Sequence, residues 1–282
     1  VSYYHDRINV EMFHALSDGN GGMMFLQSLV YNYLQLKYPQ ALAGVPGGER
    51  ASEEESGQDS FRQYYTGDAA GQEDPTNRKP VYRLGGLKLP YDQVQFFEGH
   101  LSAAQVLAKA RGMGVTLTSF LAAAQMLAVY REMPALERSR AVSVSLPVNL
   151  RNYFPSDTAR NFFGVVDISY DFSTRSGELE DIIDQLRTGL EKELTAEHLS
   201  VRMNRLARLE HMMLLRLIPL FLKVPVLRLF NFLADRQVTA SLSNLGRIEM
   251  PAPLSGFLRG FDVFLSTRRI QVCLSSFGDN LV

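Results

Sequence analysis

The stretch that decides the fold is Phe13-His14-Ala15-Leu16-Ser17-Asp18-Gly19. It follows residues 8–13, in which apolar and polar side chains alternate as they do in a β-strand. After it, apolar residues recur at helical spacing over residues 25–34, and Pro39 predicts the end of that helix. The sequence therefore predicts a histidine and an aspartate on a loop between a strand and a helix, where functional side chains are commonly found.

His14 is the candidate general base of this stretch, because an imidazole can accept a proton from a hydroxyl or an amine near neutral pH. Asp18 lies four residues further on and need not touch His14. A buried carboxylate at that position would require a cationic partner. Gly19 would allow a tight turn into the helix. A surface loop with an incidental histidine is the alternative interpretation of the same residues.

Two further groups of residues accompany this loop. The first is Ser145-Leu146-Pro147-Val148-Asn149-Leu150-Arg151, followed by Arg160-Asn161-Phe162-Phe163-Gly164, and the second is Ser243-Asn244-Leu245-Gly246. With the histidine loop, they resemble the motifs of the chloramphenicol acetyltransferase and condensation-domain superfamily, whose members carry His-x-x-x-Asp-Gly where a strand meets a helix. The resemblance extends in order and approximate spacing from His14 to Phe277.

The details favour the alcohol acetyltransferase branch of that superfamily. Phe13 stands where condensation domains usually have a second histidine. The Asp-Phe-Gly-Trp-Gly signature of the plant BAHD acyltransferases is absent, and the chain has no tryptophan.

The resemblance implies that His14 is the general base and that Asp18 is a structural residue paired with an arginine. Arg151 is one candidate for that arginine, through a bidentate bridge, and Arg160 is the rival. A solvated arginine at the end of a strand is the alternative interpretation of Arg151.

Asn161, Ser243 and Asn244 are candidates for binding substrate or for stabilising the oxyanion of a tetrahedral intermediate, because amide and hydroxyl donors suit that developing charge. Ordinary hydrogen bonds in a turn, which we favour for Ser243, or at the start of a strand are the alternative interpretation of these residues.

The fold that the resemblance implies is a mixed α/β fold with two lobes that enclose a tunnel. Residues 1–89 would be the C-terminal part of the first lobe, with a mobile acidic loop at residues 43–79, and residues 90–282 would form the second lobe. Val1 is not an initiator methionine, and we expect a fragment that lacks the N-terminal part of the first lobe. The strand at residues 8–13 would then lack neighbours, which the missing segment or a homodimer would supply.

Local patterns predict the remaining elements. Ser102 and Thr116 are candidate N-caps of two helices, and apolar spacing predicts another helix over residues 179–190. Strands are predicted at residues 94–100, 141–146, 162–172, 238–242, 260–266 and 270–275.

Composition limits the classes of function. The 282 residues are 46% hydrophobic and 21% charged, as in an ordinary globular protein. A formal net charge of -1 gives no electrostatic reason to expect nucleic acid as a partner. The single cysteine, Cys273, lies in an alternating stretch that predicts a buried thiol, which fits a cytoplasmic protein. Phosphate-binding glycine loops, zinc-type Cys/His spacing and nucleophile elbows are absent from the sequence, and we expect no metal.

Residues 212–233 are strongly apolar, contain no acidic residue and are interrupted by Pro219 and Pro225. Their basic residues, which argue against a membrane-spanning helix, are Arg216, Lys223 and Arg228. Two short helices that pack on the second lobe are one interpretation of this segment. A surface that faces a membrane or an acyl chain, with the cations at lipid headgroups, is the other.

The expected function is transfer of an acyl group from a thioester, most simply acyl-CoA as co-substrate, to an alcohol or an amine. His14 would deprotonate the acceptor, and neither an acyl-enzyme nor a bound cofactor would be needed. The alternative is a non-catalytic protein of the same fold that binds an acyl carrier or a lipid.

Overall fold

The computed structural model of the chain describes residues 1–45, 56–67, 80–86, 89–90, 93–211, 219–267 and 270–282. Its strands are β1 (Ser2–Tyr4), β2 (Arg7–Asn9), β3 (Leu101–Ser102), β4 (Val142–Asn149), β5 (Phe163–Tyr170), β6 (Ala240–Arg247), β7 (Gln271–Phe277) and β8 (Asn280–Leu281). Its α-helices are α1 (Gly19–Lys37), α2 (Ser60–Gln63), α3 (Ala103–Gly112), α4 (Leu117–Glu132), α5 (Leu179–Glu193), α6 (Ala196–His211), α7 (Leu220–Asp235) and α8 (Ala252–Ser255).

A mixed six-stranded sheet organises the molecule, in the order β3-β8-β7-β6-β4-β5. The neighbours β4, β6 and β7 are parallel, and the outer pairs are antiparallel. Helices therefore alternate with central strands, which confirms the predicted mixed α/β class.

The main core lies between one face of this sheet and the helices α4 and α5. Alternation along β4 directs Val142, Val144 and Leu146 to that face, where each is almost completely buried. The side chains that meet them from the helices and from β5 include Met126, Ile182, Leu186, Val166 and Ile168.

The body built around this sheet begins earlier in the chain than residue 90. The backbone N–H of Tyr82 donates to the carbonyl oxygen of Ala141 over 2.8 Å, and Thr239 Oγ1 donates to the carbonyl oxygen of Tyr82 over 2.7 Å. Val81 and Tyr82 are both buried, and Tyr82 packs in the main core. Residues 81 and 82 thus pack with the main sheet, while the predicted boundary at residues 89 and 90 stays a prediction.

Most of the predicted elements of this unit are present. Ser102 accepts the N–H of Gln105 and Thr116 accepts that of Ser119, which confirms both N-caps. The strands predicted at residues 94–100 and 260–266 are wrong. Those segments join no strand ladder within the described ranges, and they meet instead through the rings of Phe96 and Phe264, whose centroids lie 4.8 Å apart.

The first part of the chain contains a shorter strand than predicted. The strand expected at residues 8–13 is only Arg7–Asn9, which pairs with Ser2–Tyr4 in a separate two-stranded sheet. Helix α1 buries Val30 and Leu34 against Leu254 of α8, so this helix packs on the C-terminal part of the chain.

The segment at residues 212–233 also differs from its prediction. Residues 212–218 lie outside the described part. The rest is the helix α7, which continues through Pro225 rather than breaking there. Its exposed apolar side chains include Phe221, Leu222, Val226, Leu227, Leu229 and Phe232.

Within the described ranges, no single helix is long and apolar enough to cross a membrane. The bent pair formed by α3 and α4 meets the length and composition limits together. Both helices contribute buried residues to the main core, so packing explains their apolar character.

Candidate functional site

His14 lies on a short turn between β2 and α1. The backbone N–H of Leu16 donates to the carbonyl oxygen of Phe13 over 2.9 Å and closes this turn. The imidazole is exposed and lies beside the ring of Phe163 at the start of β5, with ring centroids 5.9 Å apart. A histidine placed in this way can meet a proton donor from solvent or from a bound molecule.

Asp18 is buried and its carboxylate is fully engaged. It is the N-cap of α1, because Oδ1 accepts the backbone N–H of Gly21 over 2.9 Å. Oδ2 accepts Nη1 of Arg151 and the backbone N–H of Phe162, each over 2.8 Å. His14 is not among these partners, so the carboxylate orders the loop through donors other than the imidazole.

Arg151 is the cation that pairs with Asp18, and its side chain is only 11% exposed. The bridge is not bidentate as expected, since only Nη1 reaches the carboxylate. The other guanidinium nitrogens, Nε and Nη2, donate hydrogen bonds to the connection between β4 and β5. The acceptors that Arg151 bonds besides Asp18 are the carbonyl oxygens of Thr158, Arg160 and Phe162 and the side-chain oxygen of Asn149. The rival Arg160 is exposed and directs Nη1 at the carbonyl oxygen of Gly57.

The connection between β4 and β5, residues 150–162, is thus the platform on which the histidine loop lies. Ser17 Oγ donates to the carbonyl oxygen of Ala159 over 2.6 Å. Gly21 approaches the same carbonyl so closely that a Cβ atom would lie 2.1 Å from its oxygen. Sequence reasoning missed both Ser17 and Gly21, although the run Gly19-Asn20-Gly21-Gly22 was a signal of close backbone approach.

Residues 56–67 support this platform from behind. Thr158 is fully buried and donates to the carbonyl oxygen of Gln58 over 2.7 Å, while Ser60 and Ser156 share a hydrogen bond of 2.6 Å. Phe61 packs edge-on against the ring of Phe162. This part of the predicted mobile loop at residues 43–79 is therefore packed. Residues 46–55 and 68–79 of that loop lie outside the described residues.

Asn161 reaches the histidine loop directly. Its Nδ2 donates to the carbonyl oxygen of His14 over 2.9 Å. The observed partner is therefore the backbone of the histidine loop, and a substrate-binding role for Asn161 stays a prediction. Gly164, two residues into β5, packs beside Leu150.

Gly19 and the Ser243–Gly246 stretch meet at the beginning of α1. A Cβ atom on Gly19 would lie 2.6 Å from Leu245 Cδ2. A side chain at residue 19 would therefore require Leu245 to shift, and because the φ of Gly19 is not positive, the expected turn does not itself require glycine. The structure therefore brings the first and last sequence motifs together.

Asn244 has the contacts of a turn residue. Its Nδ2 donates to Thr118 Oγ1 over 3.0 Å, and its Oδ1 accepts the N–H of Gly246, where φ is 77°. Ser243 is half-buried in β6 and pairs in register with Cys273 of β7. An oxyanion-binding role for either side chain stays a prediction.

Two further observations concern the single thiol and the grouping of possible metal ligands. Burial raises the pKa of the Cys273 thiol, which disfavours the nucleophilic thiolate. Over the described ranges, no three His, Cys, Asp or Glu side chains are close enough together to hold a metal ion.

Comparisons with known proteins give similarity only at the level of the fold. No family model and no curated protein matches the chain. Among solved structures, polyketide synthase associated protein 5 from Mycobacterium tuberculosis aligns over 95% of this chain and 65% of its own, with a TM-score of 0.52 and 14% identity. The fold is chloramphenicol acetyltransferase-like.

Two other structures with the chloramphenicol acetyltransferase-like fold give weaker alignments over 95% of this chain. Vinorine synthase aligns over 55% of its own length with a TM-score of 0.49 and 14% identity. The first condensation domain of the CDA synthetase also aligns over 55%, with a TM-score of 0.46 and 15% identity. The chain thus spans 55% to 65% of the length of these three structures.

Proposed function

We propose that this chain carries the catalytic base of an acyltransferase that moves an acyl group from a thioester to an alcohol or an amine. The observation that carries the proposal is the contrast between His14 and its surroundings. The imidazole is exposed, whereas Asp18, four residues away, is 6% exposed and has three donors on its two oxygens. Such an arrangement holds the backbone of the loop and leaves the imidazole free to react.

The reaction needs one proton acceptor and no covalent intermediate on the protein. His14 removes the proton from the acceptor O–H or N–H as the oxygen or nitrogen attacks the thioester carbonyl carbon. The tetrahedral intermediate then collapses, the C–S bond breaks, and the departing thiolate takes the proton from the imidazolium. Acyl-CoA is the donor that we propose, and an acyl group on a carrier protein would follow the same chemistry.

The test is a thiol-release assay on the full-length protein, with acetyl-CoA, longer acyl-CoAs and a panel of alcohols and amines. We expect His14→Ala to lower kcat by about 10²-fold or more, the usual contribution of a positioned base. Binding of CoA should change little. His100→Ala is the matched control, since His100 is an exposed histidine next to Glu98 and lies outside the motif.

Near-normal turnover by His14→Ala would remove this histidine from the mechanism. If no acceptor gives thiol release while an acyl carrier or a lipid still binds, the non-catalytic alternative is correct.

We also propose that α7 contacts a membrane surface, so that a cytoplasmic enzyme would be peripherally attached. Phe221, Leu227 and Phe232 are 72%, 60% and 51% exposed, which is unusual for large apolar side chains on one helix. Lys223 and Arg228 lie among them and would suit anionic headgroups.

A further inference from the structure

Three consecutive residues, the last two of the β4–β5 connection and the first of β5, each contact the histidine motif in a different way. Asn161 donates to the carbonyl oxygen of His14 over 2.9 Å. Phe162 donates its backbone N–H to Asp18 over 2.8 Å. Phe163 places its ring 5.9 Å from the imidazole of His14. The backbone and the ring of the histidine are thus both contacted from one short segment.

The orientation of the Asn161 amide follows from its neighbour. A carbonyl oxygen can only accept, so the Nδ2 end must face His14, and the reverse orientation would place two oxygens against each other. In that orientation Oδ1 is buried and has no hydrogen-bond partner in the part of the chain that the structure describes. An unpaired buried oxygen is destabilising, so the side chain is poorly explained as a contribution to folding alone.

We propose that Asn161 is a positioning residue for His14, an inference that rests on the proposed role of His14 as the base. Its hydrogen bond fixes the peptide plane that follows the His14 Cα, while Phe163 limits the directions open to the imidazole. Asn161 does not touch substrate in this role. Its loss should therefore reduce the rate of the proton-transfer step and leave substrate binding nearly unchanged.

Asn161→Ala and Asn161→Asp in the full-length protein separate this role from a structural one. Alanine removes the donor together with the unpaired oxygen, whereas aspartate turns an oxygen towards the His14 carbonyl. We expect kcat to fall about tenfold or more for alanine and further for aspartate, with KM within about twofold, because small displacements of a reacting group are costly. The melting temperature of the alanine variant should change by no more than about 4 °C.

A spectroscopic measurement tests the geometry without turnover. The Cε1–H resonance of His14, assigned by its absence in His14→Ala, should shift or broaden in both Asn161 variants. Asn152→Ala is the matched control, because Asn152 is an exposed asparagine of the same connection. It should leave the resonance, kcat and stability unchanged.

The outcomes distinguish the two proposals. If His14→Ala abolishes turnover while Asn161→Ala keeps a normal kcat and an unchanged His14 resonance, the inference about Asn161 is overturned and the general base stands. If His14→Ala keeps normal turnover, the proposed function itself fails, whatever Asn161 does to the resonance. A rise in KM with kcat unchanged would instead assign Asn161 to substrate binding and would also overturn the inference.

Discussion

A Cβ atom on Gly21 would lie 2.1 Å from the carbonyl oxygen of Ala159, well inside van der Waals contact. The contact joins the first turn of α1 to the β4–β5 connection at backbone level. Neither partner has a flexible side chain there that could move aside. The absence of a side chain at residue 21 is therefore a condition for the Asp18 cap and the Ser17 contact to form together.

We expect Gly21→Ala to lower the free energy of unfolding by about 1–3 kcal/mol, as overpacking usually does. Gly22→Ala is the control one residue along the same helix, because the atom nearest to its added Cβ is Met12 Sδ at 3.8 Å. That variant should be neutral or more stable by about 0.5–1 kcal/mol, since alanine favours a helix over glycine. Equal effects of the two substitutions in urea denaturation would contradict the contact.

Asp18→Asn should harm folding as much as activity. Both carboxylate oxygens accept hydrogen bonds, so an amide NH₂ would face a donor in either orientation. The change also removes the charge that pairs with the largely buried side chain of Arg151, and we expect a loss of about 3 kcal/mol in the free energy of unfolding. Asp6→Asn, in an exposed ion pair with Arg259, is the control. If stability stayed at the wild-type value and only the pH dependence of the rate moved, Asp18 would act as a proton relay instead.

We expect Arg151→Lys to reduce stability and turnover strongly, although lysine keeps the positive charge. One ammonium group can reach Asp18 or the carbonyl oxygen of Thr158, but it cannot reproduce the planar set of donors that now joins them. We expect a lower melting temperature together with reduced turnover, measured by calorimetry and thiol release. Arg187→Lys, in the exposed pair with Asp184, should change neither quantity.

The charged residues at the start of α5 predict that part of the free energy of unfolding is lost at acidic pH. Hydrogen bonds from Arg175 and Tyr170 hold the pKa of Asp181 well below its usual range. Because the pKa is lower in the folded state, the stabilisation is present above the unfolded value of about 3.9 and is lost as the pH falls from there towards the folded pKa. The difference in unfolding free energy between the wild type and Asp181→Asn should therefore shrink below about pH 4. A difference that stays constant from pH 6 to pH 3 would contradict the assignment.

The exposed side of α7 can be tested with lipid vesicles. Phe221→Ser combined with Leu229→Ser should reduce binding to anionic vesicles by at least about tenfold, because each side chain would otherwise bury apolar area. Tyr3→Ser combined with Leu136→Ser is the control, since both residues are exposed but lie far from α7 in sequence. Binding that the α7 pair leaves unchanged, or that neutral vesicles show equally, would contradict the membrane contact.

Local chemistry made the capped helices α3 and α4 predictable. Caps such as Ser102 and Thr116 act on N–H groups three residues away, so the sequence contains the whole interaction. Strands depend on a distant neighbour, which an alternating pattern does not supply. Residues 10–13 alternate yet join no strand ladder among the described residues. Phe261 contacts β7 through a hydrogen bond from Ser275 Oγ to its carbonyl oxygen and through the ring of Phe277.

The part of the site that depends on residue types alone was predictable from the sequence. A carboxylate past the end of a strand requires a cation, and sequence reasoning named Arg151 together with the rival Arg160. It could not choose between them, because the choice depends on how the β4–β5 connection folds back on Thr158. The partner of Asn161 is a backbone carbonyl, and no pattern of side chains marks such an acceptor.

The contacts that surround His14 join residues very far apart in the chain. The pair Asp18 and Arg151 is separated by 133 positions, and His14 and Asn161 by 147. Loops of this length lose chain entropy when they close, before the contacts can stabilise the fold. We therefore expect these contacts to form late in folding. We therefore expect the histidine loop to become ordered during synthesis only after β5 has left the ribosome, and in refolding experiments we expect catalytic competence to return after helical circular dichroism is complete.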